Sequence, residues 1–249
     1  MESIVLSRRD SKENDQIIAV YTEEYGKKYY LIRGVKKIGN KNSAHLEPFS
    51  FVQILGVPGK ELDCITKVLP IDYFSHIRMD FDKSVFALFA VSFVEKFFDS
   101  NQPEEKVFFL LYRFLKYLDS VPQTDVFVLD IFFIQLFHRL GFAPELEHCV
   151  FCVESTENIQ GDICAFHLAE GGYICENCKR KFFEKQNCII TIPKGILNMM
   201  KSLLKISWKE NEYTQYSETE KKILHQLIYE YIQYQSEKPL RDWKDIHHV

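Results

Sequence analysis

Cys149-Val150-Phe151-Cys152 and Cys175-Glu176-Asn177-Cys178 decide how this chain is read. Each Cys-x-x-Cys places two thiols within reach of one ion. The pairs are separated by 22 residues, the length of a small zinc finger or ribbon. Structural Zn²⁺ takes four ligands in a tetrahedron, with thiolates at about 2.3 Å. Cys149, Cys152, Cys175 and Cys178 therefore read as one closed Zn²⁺ site with no open position for a substrate, a staple and not a catalyst. A redox Cys-x-x-Cys would open a helix after a strand in a βαβ context, and neither pair has one. His148 and His167 flank the site, but four sulfurs need no histidine. Cys64, Cys164 and Cys188 complete the seven cysteines. They read as small buried apolar side chains, with Cys164 a worse-spaced alternative ligand.

Outward from this segment, on both sides, the apolar residues repeat with a helical period. Val85, Leu88, Phe89 and Phe93 follow it, as do Val107, Leu110, Leu111, Phe114 and Leu118, and then Val126, Leu129, Phe133, Leu136, Phe137 and Leu140. Gly141 and Pro144 mark the end of the third of these helices. Beyond the cysteines, Pro193 suits a first helical turn before Ile196, Met200, Leu203 and Leu204. Ser217-Glu218-Thr219-Glu220 is a capping box that opens a helix carrying Ile223, Leu227 and Tyr231. Gly171-Gly172 predicts a tight turn near the metal. Residues 236 to 249 read as a frayed tail.

The first 75 residues follow a different rule. Ser3–Arg9, Gln16–Thr22, Lys27–Gly34, Phe49–Val57 and Leu62–Leu69 are short β-rich runs separated by turn residues such as Glu24-Tyr25-Gly26-Lys27 and Pro58-Gly59-Lys60. Five strands with one longer connection suit an oligonucleotide/oligosaccharide-binding (OB) barrel; an SH3-like barrel fits the pattern nearly as well. The expected chain is α+β and multi-domain. Residues 1–78 form an OB-type barrel, 79–240 an α-helical domain with a metal module at 147–182, and 241–249 a tail.

Composition narrows the function. With 46% hydrophobic and 27% charged residues the chain is an ordinary globular one. Its net charge of -4 is not that of a dedicated nucleic-acid binder, so any such role rests on local patches. One patch is the polar stretch with Arg33, Lys36, Lys37 and Lys41, without an intervening acid; Arg8, Arg9 and Lys12 end the first strand. Such side chains neutralise phosphates and give salt-sensitive, sequence-independent binding. Tyr29, Tyr30, Phe49 and Phe51 could stack on bases, although strand alternation favours core packing for each. Lys179, Arg180, Lys181 and Lys185 form a second cluster, equally readable as a charged helix face. The N-terminus lacks the basic region of a signal peptide, and no apolar run reaches the roughly 18 residues of a membrane span. A reducing, cytoplasmic location follows. No catalytic motif is present, which favours a binding protein over an enzyme.

Three blocks resemble the bacterial DNA repair family RecO. The first is Tyr21-Thr22-Glu23-Glu24-Tyr25-Gly26-Lys27 with Arg33-Gly34-Val35-Lys36-Lys37, the second Leu46-Glu47-Pro48-Phe49. The third runs Leu140-Gly141-Phe142-Ala143-Pro144-Glu145-Leu146-Glu147-His148-Cys149 with Cys152, Gly171-Gly172 and Cys175/Cys178. The resemblance implies an OB-fold domain and a helical domain with a four-cysteine zinc site. It also implies a recombination mediator that binds single- and double-stranded DNA and anneals complementary strands. Such a mediator acts with RecR to help load RecA onto DNA coated by single-strand binding protein, whose acidic C-terminal tail it can contact. The alternative is a zinc-stapled protein-interaction adaptor without DNA binding. A thiol oxidoreductase using Cys175 and Cys178 is a third reading.

Overall fold

Five strands at the N-terminus, β1 (Glu2–Asp10), β2 (Gln16–Thr22), β3 (Gly26–Ile32), β4 (Phe51–Val57) and β5 (Asp63–Asp72), close into a barrel in the order β1-β2-β3-β5-β4. The closing contacts are β1 antiparallel to β4 and β3 parallel to β5, the OB arrangement and not the SH3-like one. The computed structural model describes residues 1–37, 42–181, 188–208, 215–236 and 239–244. Packing divides the chain into two compact units, Met1–Thr124 and Asp125–Val249. No helix among the described residues is long and apolar enough to cross a membrane.

Val5, Ile18, Val20, Tyr30, Ile32, Val52, Ile54, Ile65 and Val68 fill the barrel, joined by Val35 and Leu46 from the β3–β4 connection. Strands β1 and β2 carry continuous apolar runs because both faces are covered. Ala19 and Tyr21, which point away from the barrel interior, are buried as well, and the Tyr21 ring meets Phe98 edge-on at 5.8 Å. The covering layer is helical: α1 (Ser75–Met79), α2 (Phe81–Phe97) and α3 (Glu105–Ser120).

The first two family-like blocks are the joints of this unit. Gly26 has φ +65°, and a Cβ there would lie 2.1 Å from the Gln102 carbonyl oxygen, so only glycine lets the α2–α3 connection come this close. Buried Lys27 donates to the Glu95 carbonyl at 2.6 Å, in the last turn of α2, where the helix dipole favours a cation. Buried Lys83 does the same for α3 through the Val121 carbonyl. In the second block, Leu46 enters the core and Phe49 is buried with φ 55°. The Arg78 guanidinium lies 4.2 Å above the Phe49 ring and donates to the Pro48 carbonyl. Asp119 caps α1 by accepting from the His76 and Ile77 N–H groups at 2.8 and 3.1 Å.

The second unit is built on α4 (Phe127–Arg139), whose residues from Phe127 through Phe137 are all buried. Helices α6 (Lys194–Leu204) and α7 (Glu218–Gln235) pack against it. The capping box stands as read: Glu220 N–H donates to Ser217 Oγ at 3.3 Å, and Ser217 N–H to Glu220 Oε2 at 2.8 Å. Between α4 and α6 lies a three-stranded antiparallel sheet, β7 (Gly172–Ile174), β6 (Ile163–His167), β8 (Ile189–Pro193), followed after β7 by α5 (Glu176–Lys181). The sequence reading overlooked this sheet. Pro193 ends β8 with extended backbone, one residue before α6, and is not in the first helical turn.

The frayed tail is also corrected. Trp243 is completely buried, 4.4 Å from Phe133. Its indole N–H donates to Asp130 at 2.8 Å, and the Leu240 carbonyl accepts from Tyr229. Fourteen polar-rich residues gave no periodic signal, and a single tryptophan with a buried acceptor outweighs the propensity of its neighbours. Residues 237–238 and 245–249 lie outside the described set.

Candidate metal centre and nucleic-acid interface

Cys149 and Cys152 sit on a knuckle between α4 and the sheet. It is closed by the Cys149 N–H on the Glu154 carbonyl at 2.7 Å and the Val153 N–H on the Cys149 carbonyl at 3.1 Å. Cys175 follows β7, and Cys178 lies in the first turns of α5. The Gly171-Gly172 turn joins the two halves. Glu145 pairs with this hairpin, its N–H on the Gly171 carbonyl and its carbonyl on the Tyr173 N–H. A Cβ at Gly172 would meet the Glu145 carbonyl oxygen at 2.5 Å, so the third family-like block uses glycine to bring the knuckle against the hairpin.

The result is four Sγ atoms all within 4.8 Å of one another, three of the residues buried and Cys152 exposed. Cys152 Sγ and Cys175 Sγ are 3.5 Å apart, far beyond the roughly 2.05 Å of a disulfide. It is close to the edge of about 3.8 Å of a tetrahedron with 2.3 Å metal–sulfur bonds. Backbone N–H groups already point at sulfur: Cys175 N–H on Cys149 Sγ at 3.3 Å and Cys178 N–H on Cys175 Sγ at 3.5 Å. Burial raises the Cys149 thiol, but the backbone donors of Cys175, Phe151 and Cys152 outweigh it and bring it down to about 7. Burial and then the neighbouring sulfurs push Cys178 up. Four sulfurs this close cannot all ionise against one another without a cation, so the donor set fits a thiolate-bound metal ion. Cys164 is outside the cluster, buried in β6, where burial raises its thiol to about 11. His148 is exposed at the rim, and His167 is buried with Nδ1 accepting from the Glu170 N–H.

At the barrel, topology gathers the cations that lie apart in sequence. Asp10 pairs with Gln16 and Gln16 with Ile32, so the end of β1 and the turn after β3 share one end of the barrel. The turn is pinned there by the Gly34 N–H on Asp15 at 2.8 Å and the Lys36 N–H on the Asn14 carbonyl at 3.2 Å. Arg33 and Lys37 are exposed there with no ion-pair partner among the described residues. Lys12, in the β1–β2 turn, is also exposed with no ion-pair partner among the described residues, whereas Lys36, Arg8 and Arg9 are tethered. Lys36 lies 2.6 Å from Asp10, and Arg8 lies 2.7 Å from Glu47. Arg9, on the opposite face of β1, turns to Glu95 of α2 at 3.7 Å and to the Tyr29 ring at 5.4 Å. Lys41 and Lys185 lie outside the described residues. Tyr30, Phe49 and Phe51 are core residues and offer no stacking face. In the second cluster, Lys179 and Arg180 contact Glu176 and Asn177 along α5 itself.

Sequence reasoning did not find the tethering acids. Asp10 is adjacent to Arg9 and was legible as a neighbour, but Glu47 and Glu95 lie far along the chain. It also missed the buried ion cluster of the second unit. His225 Nδ1 faces Asp130 Oδ1 and Nε2 faces Asp242 Oδ1, each at 2.9 Å. With both carboxylates ionised they only accept, so both ring nitrogens donate and the imidazole is cationic. Burial opposes that charge, but the hydrogen bonds and charges of Asp130 and Asp242 outweigh it and raise the His225 pKa. Burial raises the Asp130 pKa, opposed by the hydrogen bond and charge of His225 and the Trp243 donor. A cavity of about 530 Å³ beside the cluster is walled by Val126, Phe127, Lys221, Lys222, His225 and Lys244, among others.

The sequence itself matches known proteins along almost its whole length. The family described as Recombination protein O N terminal matches residues 1–74, and Recombination protein O C terminal matches residues 78–244. A DNA repair protein RecO of Desulforamulus reducens is 28% identical over 241 residues, 97% of this chain and 91% of that protein. One from Lactiplantibacillus plantarum is 32% identical over 171 residues, 66% of each chain. Another, from Desulfitobacterium hafniense, is 24% identical over 242 residues, 97% of this chain and 86% of that one. A closed OB barrel, a helical unit carrying four gathered cysteines and family matches that span both place this chain in the RecO family of DNA repair proteins.

Proposed function

We propose that the chain is a recombination mediator: it binds single- and double-stranded DNA through the barrel, anneals complementary strands and, with RecR, helps load RecA onto DNA coated by single-strand binding protein. The observation that carries this reading is the end of the closed OB barrel. Arg33 and Lys37 stand there exposed, with no ion-pair partner among the described residues, beside Lys36 and Arg8, and cations at that position neutralise phosphates without reading bases. In this proposal residues 1–78 are the nucleic-acid-binding domain, 79–240 the helical domain and 241–249 its tail. Arg33, Lys36, Lys37 and Lys41 are the primary phosphate contacts, with Arg8 and Arg9 secondary. Two strands held at one basic end repel each other less, and base pairing then supplies the matching. No covalent step or nucleotide hydrolysis is required. The acidic tail of single-strand binding protein is a further proposed contact, and the proposed location is the bacterial cytoplasm at the nucleoid.

Cys149, Cys152, Cys175 and Cys178 are the proposed ligands of one structural Zn²⁺, which neutralises the thiolates and ties the knuckle to α5. Metal analysis after purification without chelators should find about one zinc per chain. The function is tested by fluorescence binding and strand annealing on single-stranded DNA, with and without single-strand binding protein, at two salt concentrations. Binding that ignores salt, or no binding in dilute buffer, ends the proposal. A second reading, a zinc-stapled adaptor whose barrel binds protein, is favoured by Leu55, Val57, Leu69 and Ile71, exposed on β4 and β5. It predicts no salt-dependent shift with oligonucleotides.

A further inference from the structure

We propose that Asp10 and Glu47 are built-in competitors of phosphate: by holding Lys36 and Arg8 in ion pairs they set how tightly the barrel end grips a nucleic acid. This rests on the DNA-binding reading above and adds the residues that hold the affinity down.

Both acids are placed by the backbone. Asp10 closes β1 opposite Gln16, whose side-chain amide donates to its Oδ1 at 3.0 Å and leaves Oδ2 for Lys36 at 2.6 Å. The pinned turn at Gly34 and Lys36 brings the ammonium to that oxygen. Glu47 is set between two buried anchors, Leu46 at 1% and Phe49 at 3% exposure, so its carboxylate stays beside Arg8. The four partners are all reached by solvent. A phosphate can therefore displace either carboxylate, because an exposed pair changes affinity by no more than roughly fivefold. The displaced carboxylate remains within a Debye length of about 10 Å and repels the incoming backbone. Lys36 and Arg8 are thus held back, while Arg33 and Lys37 carry the first contact. The pairing also accounts for how a chain of net charge -4 keeps a basic site without a strongly basic surface. Arg9 is a different case, since its partners Glu95 and Tyr29 fasten it to the helical layer.

The test is a salt titration of a fluorescein-labelled single-stranded oligonucleotide on four full-length proteins. They are the wild type, Asp10→Asn/Glu47→Gln, Arg33→Glu/Lys37→Glu, and a charge-matched control, Glu157→Gln/Asp162→Asn, on exposed acids of the other unit. Circular dichroism and melting temperature check that each is folded. The Asp10/Glu47 variant should bind about threefold to tenfold tighter in dilute buffer. Its log affinity against log salt should steepen by up to about 0.7 for each released cation. The control should change little. Equal or weaker binding by the Asp10/Glu47 variant, or an equal gain in the control, overturns the inference while the DNA reading stands, provided Arg33→Glu/Lys37→Glu binds less. If that last variant binds like wild type, the DNA reading itself falls and takes this inference with it.

Discussion

The four thiols of the second unit and the cations of the barrel end solve opposite problems. Cys149, Cys152, Cys175 and Cys178 bring like groups together, three of them out of water, an arrangement that fits a bound metal cation. The barrel end spreads its cations in water and ties two of them to acids, Lys36 to Asp10 and Arg8 to Glu47. Burial makes the first region all-or-none, because thiols packed this close to one another out of water have no cheap alternative partner. Exposure makes the second adjustable, because each ion pair can be exchanged for water, salt or phosphate at small cost. The difference teaches that substitutions in the first region should be read as stability and in the second as affinity.

The largest effect should come from Cys175→Ser. Zinc binding to small four-ligand sites is worth on the order of 10 kcal/mol, and three sulfurs leave the site open. The variant should lose its metal and melt markedly earlier in the second unit, with DNA binding by the barrel less affected. A metal-free variant that melts like wild type would break the contrast.

Trp243→Ala should be next, costing about 3–5 kcal/mol by chemical denaturation. It empties a fully buried site against Phe133 and strips Asp130 of the indole donor. A near-neutral result would mean that residues 239–244 do not hold the helices together.

Arg33→Glu/Lys37→Glu sharpens the other side. Binding to single-stranded DNA should weaken by about tenfold or more and the salt slope should flatten by about 0.7 per lost contact, with the melting temperature nearly unchanged. Lys36→Glu should cost less than Lys37→Glu, since Lys36 is already engaged by Asp10.

The smallest effect concerns pH. His225 has a raised pKa in the folded chain because Asp130 and Asp242 outweigh its burial. The stability it contributes is therefore full below its unfolded pKa of about 6.5 and is lost as pH rises through the higher folded value. Melting temperature followed upward from pH 6 should fall more in wild type than in His225→Gln. Parallel curves would remove the charged histidine from the account.

Much of this architecture was legible residue by residue. The five β-rich runs were legible because short apolar stretches and the turn residues between them are local properties. The Ser217–Glu220 box formed because its partners are three residues apart. The cysteine spacing led to one cluster because each knuckle is a local turn. The β6–β7–β8 sheet was not legible: Ile163–His167 is short, and Ile189–Pro193 abuts a helix, so neither run is long enough to establish a period. The tail was misread because Trp243 finds its acceptor 113 residues away.

The sequence alone determined the order of barrel, helices, cysteine module and helices, together with each cysteine knuckle and the Ser217 helix start, because each depends on neighbours within a few residues. Only the tertiary structure decided which cations remain available. Arg8 meets Glu47 and Arg9 meets Glu95 through strand pairing and helix packing that no spacing records. An ion pair between distant residues exists only where the fold brings them within a few ångströms, and salt screens exposed charges beyond about 10 Å.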